Sequence, residues 1–114
     1  MAISENTPSR GRFDPVREQA FGDINPTLTM IGPVFEASFY ILYIQNFTDV
    51  VIDFSVSFAG EDVTVSLAAG GAFSTDMLTN DVVVAKGEAA WCRYRDGAPS
   101  SGFVQVSAVI PTNF

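Results

Sequence analysis

Val50-Val51-Ile52-Asp53-Phe54-Ser55-Val56 is the stretch that decides the fold. Val50, Ile52, Phe54 and Val56 share one parity and Val51, Asp53 and Ser55 the other, so one face of an extended chain is core and the other mostly wet. Outward from it, Val63, Val65 and Leu67 alternate with Thr64 and Ser66, and Val104, Val106, Ala108 and Ile110 alternate with Gln105 and Ser107. Residues 38–44, Ser-Phe-Tyr-Ile-Leu-Tyr-Ile, are apolar at both parities. Such a run marks a central strand covered on both faces, or one whose outer face meets a partner. Residues 82–84 and 89–94, with 28–31 and 72–76 as shorter candidates, bring the expectation to about eight strands.

The connectors agree. Asn46-Phe47-Thr48-Asp49, Ala59-Gly60-Glu61-Asp62, Ala69-Gly70-Gly71, Thr79-Asn80-Asp81, Lys86-Gly87-Glu88 and Asp96-Gly97-Ala98-Pro99 are compact turn signals. No stretch has sustained helical periodicity, which leaves parallel strands with crossover helices unsupported. The expected fold is all-β: an antiparallel, jelly-roll-like β-sandwich over residues 28–114.

Residues 1–27 read differently. Pro8, Gly11, Pro15, Gly22 and Pro26 interrupt polar and charged residues, a density of punctuation that predicts an extended N-terminal arm. Asp14-Pro15 supplies a cap and a first helical position for one short helical turn over residues 16–21. Phe13, Val16, Phe21 and Ile24 are poor choices for a solvated tail, so the arm is expected to dock, on a neighbouring subunit in preference to its own body. Arg10, Arg12 and Arg17 put half of the chain's six cations in this segment. From Leu28 onward only Lys86, Arg93 and Arg95 stand against nine carboxylates.

With 114 residues, 47% hydrophobic and 17% charged, the chain is expected to fold as one soluble unit. A net charge of −7 without clustered Lys and Arg argues against nucleic acid as a partner. No apolar run is long enough to span a bilayer as a helix, and the first residues lack the basic-then-apolar order of a secretory leader; a membrane partner is not expected. The single cysteine, Cys92, lies between Trp91 and Tyr94 and reads as a small buried strand residue. The chain has no histidine, which removes Ser-His and Cys-His nucleophiles and the usual base near neutral pH. Ala69-Gly70-Gly71-Ala72 lacks the lysine of a phosphate loop. Glu61-Asp62 and Asp76 with Asp81 are ordinary turn acids, and a calcium site on Asp76, Asn80 and Asp81 has no diagnostic spacing. No catalytic, cofactor-binding or metal-binding residue is therefore assigned, and no enzymatic activity is expected. Asn46-Phe47-Thr48 matches a glycosylation acceptor and reads as chance. Trp91, Arg93 and Arg95 share one face of a strand, an aromatic beside two cations, which suits self-association of an acidic protein.

Three segments together carry a resemblance: residues 44–55, Ile-Gln-Asn-Phe-Thr-Asp-Val-Val-Ile-Asp-Phe-Ser; residues 67–76, Leu-Ala-Ala-Gly-Gly-Ala-Phe-Ser-Thr-Asp, with Thr79-Asn80 after them; and residues 98–107, Ala-Pro-Ser-Ser-Gly-Phe-Val-Gln-Val-Ser. In order and spacing they resemble small β-sandwich virion structural proteins of short-tailed, podovirus-type bacteriophages, over about residues 40–108. The closing segment, Ile110-Pro111-Thr112-Asn113-Phe114, departs from the pattern, and the arm lies outside it. The resemblance implies a non-enzymatic virion component assembled in the host cytoplasm. Its expected role is capsid decoration or cement, bound to the major capsid protein, with a head-to-tail or fibre-attachment adaptor on portal or tail proteins as the alternative. A carbohydrate-binding module, using Tyr40, Tyr43 and Trp91 as platforms, is the more distant reading. The residues expected to meet partners are Arg10, Arg12, Phe13, Val16, Arg17, Phe21, Ile24, Phe39, Tyr43, Trp91, Arg93 and Arg95.

Overall fold

The computed structural model describes residues 11–13, 15–36, 41–75 and 84–111, with backbone alone at 11–13, 75 and 110–111. Among these residues the chain forms β1 (Gly11–Phe13), β2 (Arg17–Ala20), a 3-10 turn (Phe21–Asp23), β3 (Thr29–Ile31), β4 (Ile41–Asn46), β5 (Ile52–Ser57), β6 (Val65–Leu67), β7 (Ala72–Thr75), β8 (Ala89–Tyr94) and β9 (Phe103–Pro111). All pairings are antiparallel. The first sheet runs β1-β9-β4-β7, with β2 also on β9; the second runs β3-β8-β5-β6. β1 pairs with residues 109–111 and β2 with residues 103–106, so the two share one edge of the long β9 and each sheet is four positions wide. From β2 onward each strand crosses to the other sheet except at the β5–β6 hairpin, the order of a jelly roll and the sandwich expected from the alternation.

The inner faces interdigitate. β4 contributes Leu42 and Ile44 and β9 contributes Val104, Val106 and Ala108; opposite them lie Ile31 of β3, Ile52 and Phe54 of β5, Leu67 of β6, and Ala90 and Cys92 of β8. Ile24, Phe35 and Val84 enter from the connections. Phe35 is tied in by its own backbone, donating to the Glu88 carbonyl at 2.7 Å and accepting from the Gly87 N–H at 2.8 Å. Burial raises the thiol pKa of Cys92 to about 12, so it is an inert core residue, as its setting in the sequence suggests.

Two readings are corrected. The short helical turn over residues 16–21 does not form: Arg17–Ala20 is a strand, followed by the 3-10 turn. The edge of β9 presents a row of backbone groups that four residues of extended chain satisfy, which outweighs a local cap. Likewise Asp53 and Ser55, assigned to a wet face of their strand, are buried at 1% and 0% exposure. β5 lies between β8 and β6, and long side chains from β8 close over its outer face.

Within the described residues, the leading stretch packs on its own body. Arg17 is buried, its Nε donating to the Pro33 carbonyl at 3.0 Å, its other nitrogens to Pro15 and Val34, and its guanidinium lying 4.2 Å from the centre of the Phe35 ring. Ile24 belongs to the core. Those two side chains are interior to this chain and do not form a partner-facing surface.

Candidate functional site

One end of the sandwich gathers loops that are cross-linked by hydrogen bonds. Asn46, the last residue of β4, is fully buried: its Nδ2 donates to the carbonyls of Val50, Leu67 and Ala68 at 2.8, 3.0 and 3.1 Å. Its Oδ1 accepts from the Thr48 N–H at 2.9 Å and from the Thr48 hydroxyl at 2.6 Å. Its backbone N–H meets the Gly71 carbonyl and its carbonyl meets the Gly70 N–H, both at 2.9 Å. The Phe47 N–H then donates to the Phe103 carbonyl at 2.8 Å, and Asp49 accepts from both the backbone and the hydroxyl of Ser100. The hydroxyl bond of Ser100, and after it the backbone bond, holds the Asp49 carboxyl below the usual range. Residues 46–50 and 67–71 thus meet around one amide, and residues 100–103 are tied to the same loop through Phe47 and Asp49. The matched glycosylation tripeptide is a structural knot, and Asn46 is inaccessible to modification.

That knot displays aromatic rings. Phe47 and Phe103 lie with centroids 4.9 Å apart, tilted by 41°, and both are exposed, Phe47 by 46%. Phe21, also exposed, is fastened beside them by its N–H to the Gly102 carbonyl at 3.0 Å. Gly102 has φ of 89°, and a methyl group there would run into the Phe47 carbonyl oxygen, so only glycine brings these strands together. Asp23, Asp49 and Asp96 stand exposed on the same set of loops. The result is a rigid apolar end with an acidic rim. Of its aromatic residues the sequence pointed only to Phe21, because Phe47 and Phe103 sit 56 positions apart and read as turn and strand residues.

The outer face of the second sheet is organised around Asp53. Arg93 Nε binds one carboxylate oxygen at 3.0 Å and Arg95 donates to the other at 2.8 Å. The Ser66 hydroxyl donates to that second oxygen at 2.6 Å. Burial pushes the Asp53 carboxyl up, but the bonds from Ser66, Arg93 and Arg95 outweigh it and hold the group below its ordinary value. Two guanidinium groups on one carboxylate leave the cluster with a net positive charge, and both arginines remain partly exposed. Trp91 stands on the same face, opposite Ser55 and Met30, its indole N–H donating to the Ser57 carbonyl at 3.1 Å.

On the outer face of the first sheet, Tyr43 is flanked across the ladder by Ser74 and Ser107. Small neighbours leave a hollow of about 430 Å³ over them, lined also by Ile44, Gln45, Ala72 and Phe73.

The remaining predicted contact residues are scattered. Val16 is exposed beside Val34 and Gly32 in a separate hollow at the opposite end. Arg12 and Phe13 lie in β1, whose side chains are outside the description. Arg10 and Phe39, with the calcium candidates Asp76, Asn80 and Asp81 and Tyr40 of the carbohydrate reading, fall outside the described residues. The structure therefore brings together Trp91, Arg93 and Arg95, and separates them from Phe21, Tyr43 and Val16. No protein family, curated protein or solved structure matches this chain.

Proposed function

We propose that this chain is a non-enzymatic structural protein of a short-tailed bacteriophage particle, a decoration or cement protein that docks on the shell. The observation that carries the reading is the aromatic end: Phe21, Phe47 and Phe103 are held open to solvent on loops cross-linked by hydrogen bonds, where rigid exposed rings serve as interface anchors at little entropic cost. The jelly roll supports it as analogy, since this architecture recurs in capsid proteins as well as lectins, and so does the absence of histidine from the sequence. The acidic rim fits an apolar pocket bordered by Lys and Arg on the capsid protein. Exchange of Phe47 and Phe103 for Ser is expected to leave a folded protein that no longer co-purifies with particles. Full occupancy of that variant would remove the reading. A connector or fibre adaptor uses the same surface in a ring, and densitometry separates the two: hundreds of copies per particle for decoration, about a dozen for a ring.

One observation favours a second reading. The hollow at Tyr43 offers an aromatic face among neutral hydrogen-bonding groups of Gln45, Ser74 and Ser107, the chemistry of a saccharide cleft. Binding on a glycan array that Tyr43→Ala abolishes would establish it, and a blank array would dispose of it.

A further inference from the structure

The outer face of the second sheet has a charge arrangement that is complementary to itself. At the end where β8 runs into the loop after Tyr94, Arg93 and Arg95 form the cationic cluster on Asp53. At the other end, the turn between β5 and β6 folds back over this same face. Ser57 Oγ accepts the N–H groups of Gly60 and Glu61 at 2.9 and 3.3 Å, and a Cβ on Gly60 would stand 2.7 Å from the Trp91 ring. Gly60, with φ of 67°, is what allows the turn to lie flat on the indole. This places Glu61 and Asp62, both exposed and with no side-chain bond among the described residues, at the opposite edge from the arginines. Between the two poles lie Trp91 and the exposed Met30. Asp53 and Ser57 are four residues apart on β5, about 13 Å at the usual strand rise, and among the described residues the ion pairs of Arg93 and Arg95 go to Asp53, with none joining the two poles.

We infer that this face is a docking site for a second copy of the chain, in a two-fold symmetric dimer with Trp91 and Met30 near the axis. A half-turn about an axis lying in the plane of the contact, perpendicular to the line that joins the poles, turns one face onto the other and sets the Arg93–Arg95 pole of each copy against the Glu61–Asp62 pole of the other, so one patch satisfies both partners. The patch offers an exposed methionine, the edge of an indole that the Gly60 turn partly covers, and two arginines whose forks Asp53 already fixes. Two chains of charge −7 repel at long range, and this face sets opposite charges against each other at contact. The face is small. Two strands of six residues and two of three, at the usual rise and spacing, give about 290 Å², roughly a third of what a stable interface buries per partner. The dimer is correspondingly weak in solution and is reinforced by the high local concentration of a shell. The inference deepens the assembly reading by naming its lateral contact.

Sedimentation equilibrium of the purified full chain tests it without any particle. The expected result is a monomer–dimer equilibrium with Kd between about 1 µM and 1 mM at low salt. About 1 M salt, where the Debye length falls to about 3 Å, should weaken it at least tenfold. Met30→Asp, and separately Glu61→Arg with Asp62→Arg, should each weaken it at least tenfold without touching the Asp53 cluster, with folding verified by circular dichroism. Arg95→Glu should act likewise and be rescued when combined with Glu61→Arg. A monomer throughout, a higher oligomer, or a dimer indifferent to these substitutions overturns the inference. Dimerisation without particle binding would keep this contact and remove the virion reading; particle binding by a strict monomer would do the reverse.

Discussion

Asn46 shows how a single amide can hold one end of a sandwich. Its two N–H bonds serve three carbonyls from two separate loops, and its oxygen fixes the Thr48 turn. Asn46→Ala should cost about 3 kcal/mol in urea unfolding, from carbonyls left without partners in the interior. Asn46→Asp should cost more, because it turns a second acceptor toward those same carbonyls. Gly102→Ala should cost about 3 kcal/mol or more, through left-handed backbone and collision with the Phe47 carbonyl. Asp53 gives a pH signature. Its carboxyl is held below its ordinary value, so its contribution to stability is complete above the unfolded-state value near 3.8 and is lost as pH falls through the lower, folded one. Stability measured from pH 6 downward should therefore decline most steeply below about pH 4, and Asp53→Asn should flatten that decline. None of this was legible locally. Asn46 looked like a chance acceptor and Asp53 like a wet strand position, because their partners lie from 2 to 42 residues away in the chain.

At the scale of elements, the strands whose inner positions are apolar were readable, since a period of two survives whatever they pair with. β5 and β9 are such cases: Ile52 and Phe54, and Val104, Val106 and Ala108, all point inward as their spacing requires. β2 was not readable. Arg17-Glu18-Gln19-Ala20 carries no apolar alternation, and its one buried side chain is an arginine satisfied by carbonyls and a ring. β1 is equally silent, three residues recognisable only by the strand they join. Removal of residues 1–27 should consequently do more than detach a tether. It strips one edge of β9, uncovers Val104 and Val106, and takes Ile24 from the core. The truncated chain should melt well below the full one and aggregate through the freed edge, as read by thermal unfolding with light scattering. An unchanged melting temperature would show that β2 adds nothing to the fold.

For the molecule as a whole, the jelly roll separates fold from function. Its two sheets supply a rigid frame, and what distinguishes this chain lies on three surfaces of that frame: the aromatic end, the Arg93–Arg95 face and the hollow at Tyr43. Sequence reading reached the sandwich and the Trp91–Arg93–Arg95 stripe, because both follow from parity along a strand. It missed the aromatic end, which exists only after the loops following β4, β6 and β8 have been tied to one another. The function we propose has that end grip the shell while the arginine face meets a neighbouring copy. Quantitative mass spectrometry of purified phage particles tests this most directly. The account predicts hundreds of copies of the chain per particle, falling to background when Phe47 and Phe103 are replaced by Ser; a purified, infectious particle that lacks the chain altogether would contradict it.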